Sequence, residues 1–355
     1  MEAQRLSVLE PHRHDQNEYY EWAPRILRLS NDELLMFRGV AKPDPKVLET
    51  SSIGRGHVSN HTQVWLQRSD DLGESWDTPR ILLDHPKYAV SSLPLVDPKT
   101  GRLVCFYTLR DMVAYIETRD PGAYLKGHYF ITSDDDGTSW SDPTEVTAKL
   151  GDQIGLPHGE HVSTSNGLMV TWYGADRIEA LFSTDNGQSW GDRTEIGTTI
   201  EVDGRQLTEP CAWSFTDDRI VTFGRDNETG DFFAVKSSDG GRSWGSPVYF
   251  NPTDMNTGVP ICVKQTGANE ITATWGDRTN GYVYVTHMSA RLAWQDPTEL
   301  ANQQHHRVHK MMADEDHLAD FGYSHFVQLG ESRREILLSF YDENETPNPW
   351  LMGAY

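Results

Sequence analysis

Positive charge is scarce in this chain. It has 31 Lys and Arg against 53 Asp and Glu, a formal net charge of −22, so long-range repulsion disfavours nucleic acid and anionic membrane as partners. An anionic ligand therefore needs a local cluster of cations. The acidity itself suits a solvated surface and carries no function. Cysteine is scarce too. Cys105, Cys211 and Cys262 are too few and too scattered for a disulfide framework or a zinc site, and each lies in an apolar, strand-like setting that suits a buried thiol. No apolar run approaches the length of a membrane span, and Met1-Glu2-Ala3-Gln4-Arg5 lacks the apolar stretch of a signal peptide. The chain as given is expected to be soluble and to carry no address, cytoplasmic or secreted with its signal removed.

Repetition is what the chain has in quantity. Residues 69–76 return at 133–140, 183–190 and 237–244, all reading S-x-D-x-G-x-S-W, and a worn fifth copy at 289–294 keeps Ser289 and Trp294. Trp76, Trp140, Trp244 and Trp294 are each followed at the third position by Pro. Asp accepts hydrogen bonds from the backbone of a tight turn, Gly takes the φ > 0 position, and Trp packs the hairpin onto its neighbours. On that logic Asp70, Asp134, Asp185 and Asp239 read as turn residues, neither catalytic nor metal-binding. The tryptophans recur roughly every 50 to 64 residues, the period of a four-stranded propeller blade.

A second repeat precedes each motif: an apolar strand, a turn and another apolar strand. It occurs at 23–39, 90–109, 161–176, 209–226, 258–278 and 323–343, with turn residues such as Asn31-Asp32 and Asn166-Gly167 between the strands. Six copies predict an all-β fold, a six-bladed β-propeller of four-stranded antiparallel blades forming one domain over residues 1–355. The N-terminal segment around residues 5 to 12 is expected to join the last blade, closing the ring and leaving no open sheet edge. Two insertions interrupt the rhythm, at 39–62 and 298–321. In the second, His305 and His309 stand at i, i+4, a spacing that can ligate a metal on a helix, but no third ligand is patterned nearby. A solvated loop or short helix is expected there, with no metal and no cofactor.

In a propeller, matched positions of successive blades converge at one mouth of the axis. The inner-strand starts bring in Arg25, Ser91 or Ser92, His161, Glu209 and Tyr323, and the next strands end at Arg38, Asp176, Arg225, Arg278 and Asp342. Arg25, Arg225 and Arg278 on one rim suit a carboxylate clamp, because the planar guanidinium makes bidentate contacts to a carboxylate. His161 is expected in the pocket wall.

These residues carry a resemblance. The four Trp motifs resemble the Asp boxes of the sialidase (neuraminidase) superfamily, also described by its BNR repeats, and the landmark residues fall in that family's order. Arg25-Ile26 resembles the first-blade Arg-Ile, although proline here precedes the arginine. Thr208-Glu209 with Arg225 is similar to the family's Glu and second arginine, Arg278 to the third arginine, and Tyr323-Ser324 to the nucleophilic tyrosine. One landmark departs from the family. The place of the acid/base Asp, about twelve residues before the first Asp box, holds His57, beside Arg55 in the same loop. Histidine exchanges a proton near neutral pH, so general acid/base work remains open to it.

The resemblance implies an exo-glycosidase that removes a terminal acidic sugar such as sialic acid from a glycan or polysaccharide. The arginines would grip the carboxylate, Glu209 would deprotonate Tyr323 for attack on the anomeric carbon, His57 would protonate the leaving oxygen, and Asp342 would hold Arg25. Two alternatives stay open. Some sialidase-fold propellers act on uronate- or rhamnose-bearing polysaccharides through a key histidine, which would make this a lyase or related enzyme using His57. A glycan-binding propeller without catalysis is the other, and Glu209 beside Tyr323 counts against it.

Overall fold

Strands such as Leu34–Lys42 and Leu103–Arg110 are apolar on both faces, and a strand of that kind needs a packed layer on each side. The computed structural model describes residues 20–42, 59–118, 121–150, 155–174, 177–198, 204–255, 259–310, 322–330, 335–340 and 351–354. It meets the need with a propeller of four-stranded antiparallel blades.

The first blade is β1 (Tyr20–Arg28), β2 (Leu34–Lys42), β3 (His61–Ser69) and β4 (Arg80–His85). The second is β5 (Ala89–Val96), β6 (Leu103–Arg110), β7 (Leu125–Ser133) and β8 (Thr144–Glu145). The third is β9 (Leu156–Thr164), β10 (Gly167–Tyr173), β11 (Arg177–Ser183) and β12 (Asp192–Thr198). The fourth is β13 (Leu207–Ser214), β14 (Ile220–Asp226), β15 (Phe232–Ser237) and β16 (Val248–Phe250). The fifth is β17 (Cys262–Gly267), β18 (Glu270–Asp277), β19 (Tyr282–Ser289) and β20 (His305–Lys310). A further sheet has three strands among the described residues, β21 (His325–Gln328), β22 (Ile336–Phe340) and β23 (Leu351–Ala354).

The apolar core sits in the gaps between sheets. Because side chains alternate along a strand, Leu35 and Phe37 of β2 pack toward β6 while Leu34 and Met36 pack toward Val327 and Leu337 of the three-stranded sheet. Likewise Cys211 and Trp213 of β13 face the fifth blade, and Ala212 between them faces the third. All three cysteines are buried free thiols. The first strands of successive sheets neighbour one another, from β1 through β5, β9, β13 and β17 to β21, which lies back against β1.

The Trp motifs staple these gaps. In the first copy the Ser69 hydroxyl accepts from the Gly73 N–H at 2.8 Å, and Asp71 Oδ1 accepts from the Ser75 N–H at 2.8 Å. The acceptors in the first two copies are therefore Asp71 and Asp135, not Asp70 and Asp134, because only the third position of the motif faces the turn. Asp134 points outward and pairs with Arg102 at 2.6 Å. Hydrogen bonds from the motif's serines hold the carboxyls of Asp71, Asp135 and Asp239 down at about 2. Each tryptophan reaches the preceding blade: Trp140 meets Phe37 edge-on at 6.1 Å, and Trp190 meets Phe106 at 4.8 Å.

Two expectations change. The worn fifth copy is a short helix, Ala290–Gln295, capped by the Ser289 hydroxyl, because it has no Asp and Gly to close the turn. Within the second insertion, residues 298–310 lie in regular elements or the short turn between them. A 3₁₀ helix spans Pro297–Asn302, and His305 and His309 lie on β20, where pairing with β19 overrides any local helix preference. His305 Nδ1 meets the Thr286 hydroxyl at 2.8 Å, and its ring packs on Trp275. The third strand of the last sheet comes from 351–354. The segment around residues 5 to 12 lies outside the described residues.

Gly187 tests the staple. It holds φ +82, and a Cβ there would stand 2.8 Å from Val104 Cγ2 of the second blade. Gly187→Ala is expected to cost about 1–3 kcal/mol in chemical unfolding. Gly197→Ala, where a Cβ meets nothing within 4 Å, is expected to stay within about 0.5 kcal/mol of wild type.

Candidate active site

The active-end geometry begins with irregular backbone. β1 breaks register between Trp22 and Arg25, β13 between Thr208 and Cys211, and β9 between the partners of Thr171 and Met169. Bulges bend a strand and re-aim its side chains. Here they release Arg25, His158 and Glu209 from regular alternation, all near the same end of the inner strands. Glu209 takes φ +53, a left-handed conformation uncommon for a residue with a side chain, and is 4% exposed.

Glu209 is the hub. Tyr323, just ahead of β21, donates its hydroxyl to Glu209 Oε1 at 2.5 Å, and Arg225 on β14 pairs with Oε2 through Nε. Arg225 Nη2 also lies 3.5 Å from the Tyr323 oxygen. Burial pushes the Glu209 carboxyl up, but Arg225 and the Tyr323 hydrogen bond pull it further down, so it is held below the usual carboxylate range. For Arg225 burial opposes the charge, and Glu209 overrides it. Arg278, half-buried, sets its guanidinium carbon 6.0 Å from the centroid of the Tyr323 ring. Arg25, also half-buried, donates to the Gly159 carbonyl at 2.9 Å and lines a small cavity with His158, Cys262, Tyr323 and His325.

The structure thus brings Glu209, Arg225 and Tyr323 into direct contact, with Arg278 and Arg25 beside them. His57, Arg55, Asp342 and Asp176 lie outside the described residues. Arg38 packs over the Trp65 ring within the first blade. His161 lines a separate cavity with Glu160, Trp213, Phe215 and Lys264, toward the far ends of β9, β13 and β17. The bulges explain the misplacement. Leu156 pairs with Tyr173 as Thr208 pairs with Arg225, so 157–158 stand level with Glu209 and a count along the sequence overshoots to 161.

His158 is the residue that counting missed, and the neighbouring Gly159, at φ +82, was its signal. Its ring meets those of Tyr323 and Tyr173 edge-on at 6.3 and 6.1 Å. Both ring nitrogens are buried, and the Pro210 carbonyl lies near without completing a hydrogen bond. Burial, then Arg25, push the imidazole down to about 3, so it is neutral. Burial, with Glu209 and Tyr323 next to it, also holds the Tyr173 phenol well above its usual range.

Glu160, Cys262 and His325 bring three potential metal-ligand atoms within 4.8 Å of one another. Their hydrogen bonding does not fit a metal. The Ile26 N–H occupies His325 Nδ1 at 3.2 Å, leaving the ring proton on Nε2, which gives it to Glu160 Oε1 at 2.5 Å. Lys264 already supplies a cation, 3.3 Å from the other carboxylate oxygen.

This is an Asp-box propeller with buried, interlocked ionisable side chains at one end of its axis. The chain belongs to the BNR repeat-like domain family, whose match spans residues 54–336. Among solved structures it resembles a protein of unknown function from Dyadobacter fermentans at 18% identity and TM-score 0.76, with 99% of this chain and 98% of that one covered. The intramolecular trans-sialidase from Ruminococcus gnavus, in complex with oseltamivir carboxylate, matches at 14% identity and TM-score 0.70, with 99% and 97% covered. An α-L-arabinofuranosidase from Fusarium graminearum matches at 12% identity and TM-score 0.58, with 94% and 92% covered. At these identities the likeness is one of fold.

Acid should loosen this centre in two steps. His158 has a folded pKa of about 3 against an ordinary 6.5, so its contribution to stability is whole above 6.5 and is lost as pH falls toward 3. Glu209 is depressed as well, and its contribution is whole above the ordinary carboxylate range and is lost as pH falls through the lower folded value. His158→Phe is expected to flatten the dependence of the thermal midpoint between pH 6.5 and 4. Glu209→Gln, which leaves Arg225 buried without its counter-charge, is expected to cost about 3 kcal/mol in urea unfolding at pH 7.

Proposed function

We propose that the chain is an exo-glycosidase that removes a terminal acidic sugar of the sialic acid class. The observation that carries this reading is the Tyr323 hydroxyl donating at 2.5 Å to a buried Glu209 whose other oxygen is paired with Arg225. A phenol is a weak nucleophile until a base takes its proton, and a carboxylate in direct contact is that base. A neutral phenol also suits attack beside a substrate carboxylate, where a charged nucleophile would be repelled.

In the reaction Arg25, Arg225 and Arg278 grip the substrate carboxylate. Glu209 takes the Tyr323 proton as the phenolic oxygen forms a bond to the anomeric carbon and the glycosidic bond breaks. His57, in the loop outside the described residues, gives its proton to the leaving oxygen. Water then releases the sugar from Tyr323 with the same groups acting in reverse. The arginines favour an acidic sugar, although the fold shared with an arabinofuranosidase shows that neutral sugars are also handled on such propellers. Elimination from a uronate through His57 is the second enzymatic reading, and a lectin has no use for a Tyr323 hydroxyl held on a buried Glu209. The reading extends to architecture. One domain over 1–355 forms six blades, with the segment around residues 5 to 12 completing the last sheet, and the position of β21 against β1 supports ring closure.

The test is fluorophore release from a 4-methylumbelliferyl sialoside across pH 4 to 8. Wild type is expected to turn it over, and Tyr323→Phe to lose about 10³-fold or more. Absence of release by folded wild type, with an unsaturated product forming from a uronate-capped polysaccharide, would replace the hydrolase with a lyase.

A further inference from the structure

We propose that His325 is a positioning residue, a neutral imidazole that fixes the distance between the carboxylate-gripping Arg25 and the nucleophile Tyr323. The proposal rests on the sialidase reading above and names the part of the chain that keeps the two halves of that site in register.

Arg25 lies on β1 and Tyr323 just ahead of β21, almost the whole chain apart. His325 spans the gap. It follows Tyr323 by two residues and accepts the N–H of Ile26, the residue next to Arg25, at 3.2 Å. Its other nitrogen donates at 2.5 Å to Glu160 of β9, and the carbonyl of adjacent Gly159 accepts from Arg25 Nη1 at 2.9 Å. Three inner strands are therefore linked through one ring that is 3% exposed. Ser339 reinforces the same joint, its hydroxyl lying 3.4 Å from the Pro24 carbonyl and 3.2 Å from the His325 carbonyl.

The ring works in one protonation state and one tautomer. The Ile26 N–H can meet only an unprotonated Nδ1, so the proton sits on Nε2, facing Glu160. A second proton on Nδ1 would expel the Ile26 N–H and release the strand that carries Arg25. The charged and titratable groups around the ring keep that proton away: Lys264 from β17 and Arg25 from β1 oppose it, Glu160 from β9 favours it, and Cys262 from β17 stands beside Glu160. Burial is the largest influence, and the ring is pushed down to about 4.

The experiment compares wild type with His325→Asn, His325→Gln and His325→Ala by two readouts. The first is KM and kcat on the 4-methylumbelliferyl sialoside. His325→Ala is expected to lose about 10²-fold in kcat/KM, the scale of a displacement near 1 Å. His325→Asn, which keeps an acceptor for the Ile26 N–H, is expected to recover most of the KM change. His325→Gln, which keeps only the donor to Glu160, is expected not to. The second readout needs no turnover: imidazole nitrogen NMR of wild type is expected to find His325 neutral with its proton on Nε2 between about pH 8 and 5. Equal KM in all folded variants, or a charged or Nδ1-protonated ring at pH 7, would overturn the proposal. If wild type fails to cleave the sialoside, the functional reading falls. The tautomer, with faster Ile26 amide exchange in His325→Ala than in His325→Asn, then decides the linkage by itself.

Discussion

The second strand of each described sheet is buried on both faces, and that demand determines where the chemistry can be. A strand with apolar residues at odd and even positions alike needs a neighbour on each side, so the sheets stand around an axis and the gaps between them hold the apolar core. Leu34 and Leu35, adjacent in sequence, lie in two different gaps. Burial on both faces leaves the strand ends as the places for polar groups. The Asp boxes take one end, and the bulged starts of the inner strands take the other.

At the bulged end the controlling interaction is electrostatic. Glu209 is buried in a left-handed backbone conformation, a costly position for an ionised group. Arg225 offsets that cost with its charge, and Tyr323 with its hydroxyl. The arrangement holds a carboxylate directly against a phenol whose hydroxyl donates to it. The neighbouring rings follow the same rule. His158 and His325 are both neutral because burial and nearby cations disfavour their protonated forms, so the charges that remain here among the described residues are carried by the arginines, Lys264 and the carboxylates of Glu209 and Glu160.

The fold was legible because the repeat is a physical one. Gly73, Gly137, Gly187 and Gly241 all take positive φ, and the motif's tryptophans pack onto the preceding blade as their spacing required. The contact of Glu209, Arg225 and Tyr323 was legible because these residues resemble family landmarks. It was illegible where bulges change the count. His161 stood at the matched position by number, yet the register of β9 puts His158 near Tyr323 instead. Asp71 and Asp70 differ by one position in a turn, which decides which carboxylate meets the Ser75 N–H. The worn box at 289–294 and the strand at 305–310 were lost for a related reason, since pairing and capping are settled by neighbours that the local sequence does not name. The contacts of His325 join residues some 300 apart in the chain, and no local pattern announces such a link.

In the function we propose, Tyr323, activated by Glu209, forms a covalent bond to the sugar. Incubation with a 3-fluorosialyl fluoride tests it most directly, because the fluorine beside the anomeric carbon slows release of the glycosyl-enzyme and lets it accumulate. The account predicts one added sialyl mass per chain, mapped by peptide mass spectrometry to Tyr323 and absent in Tyr323→Phe. Turnover of a sialoside with the label on another residue, or with no label at all, would contradict it.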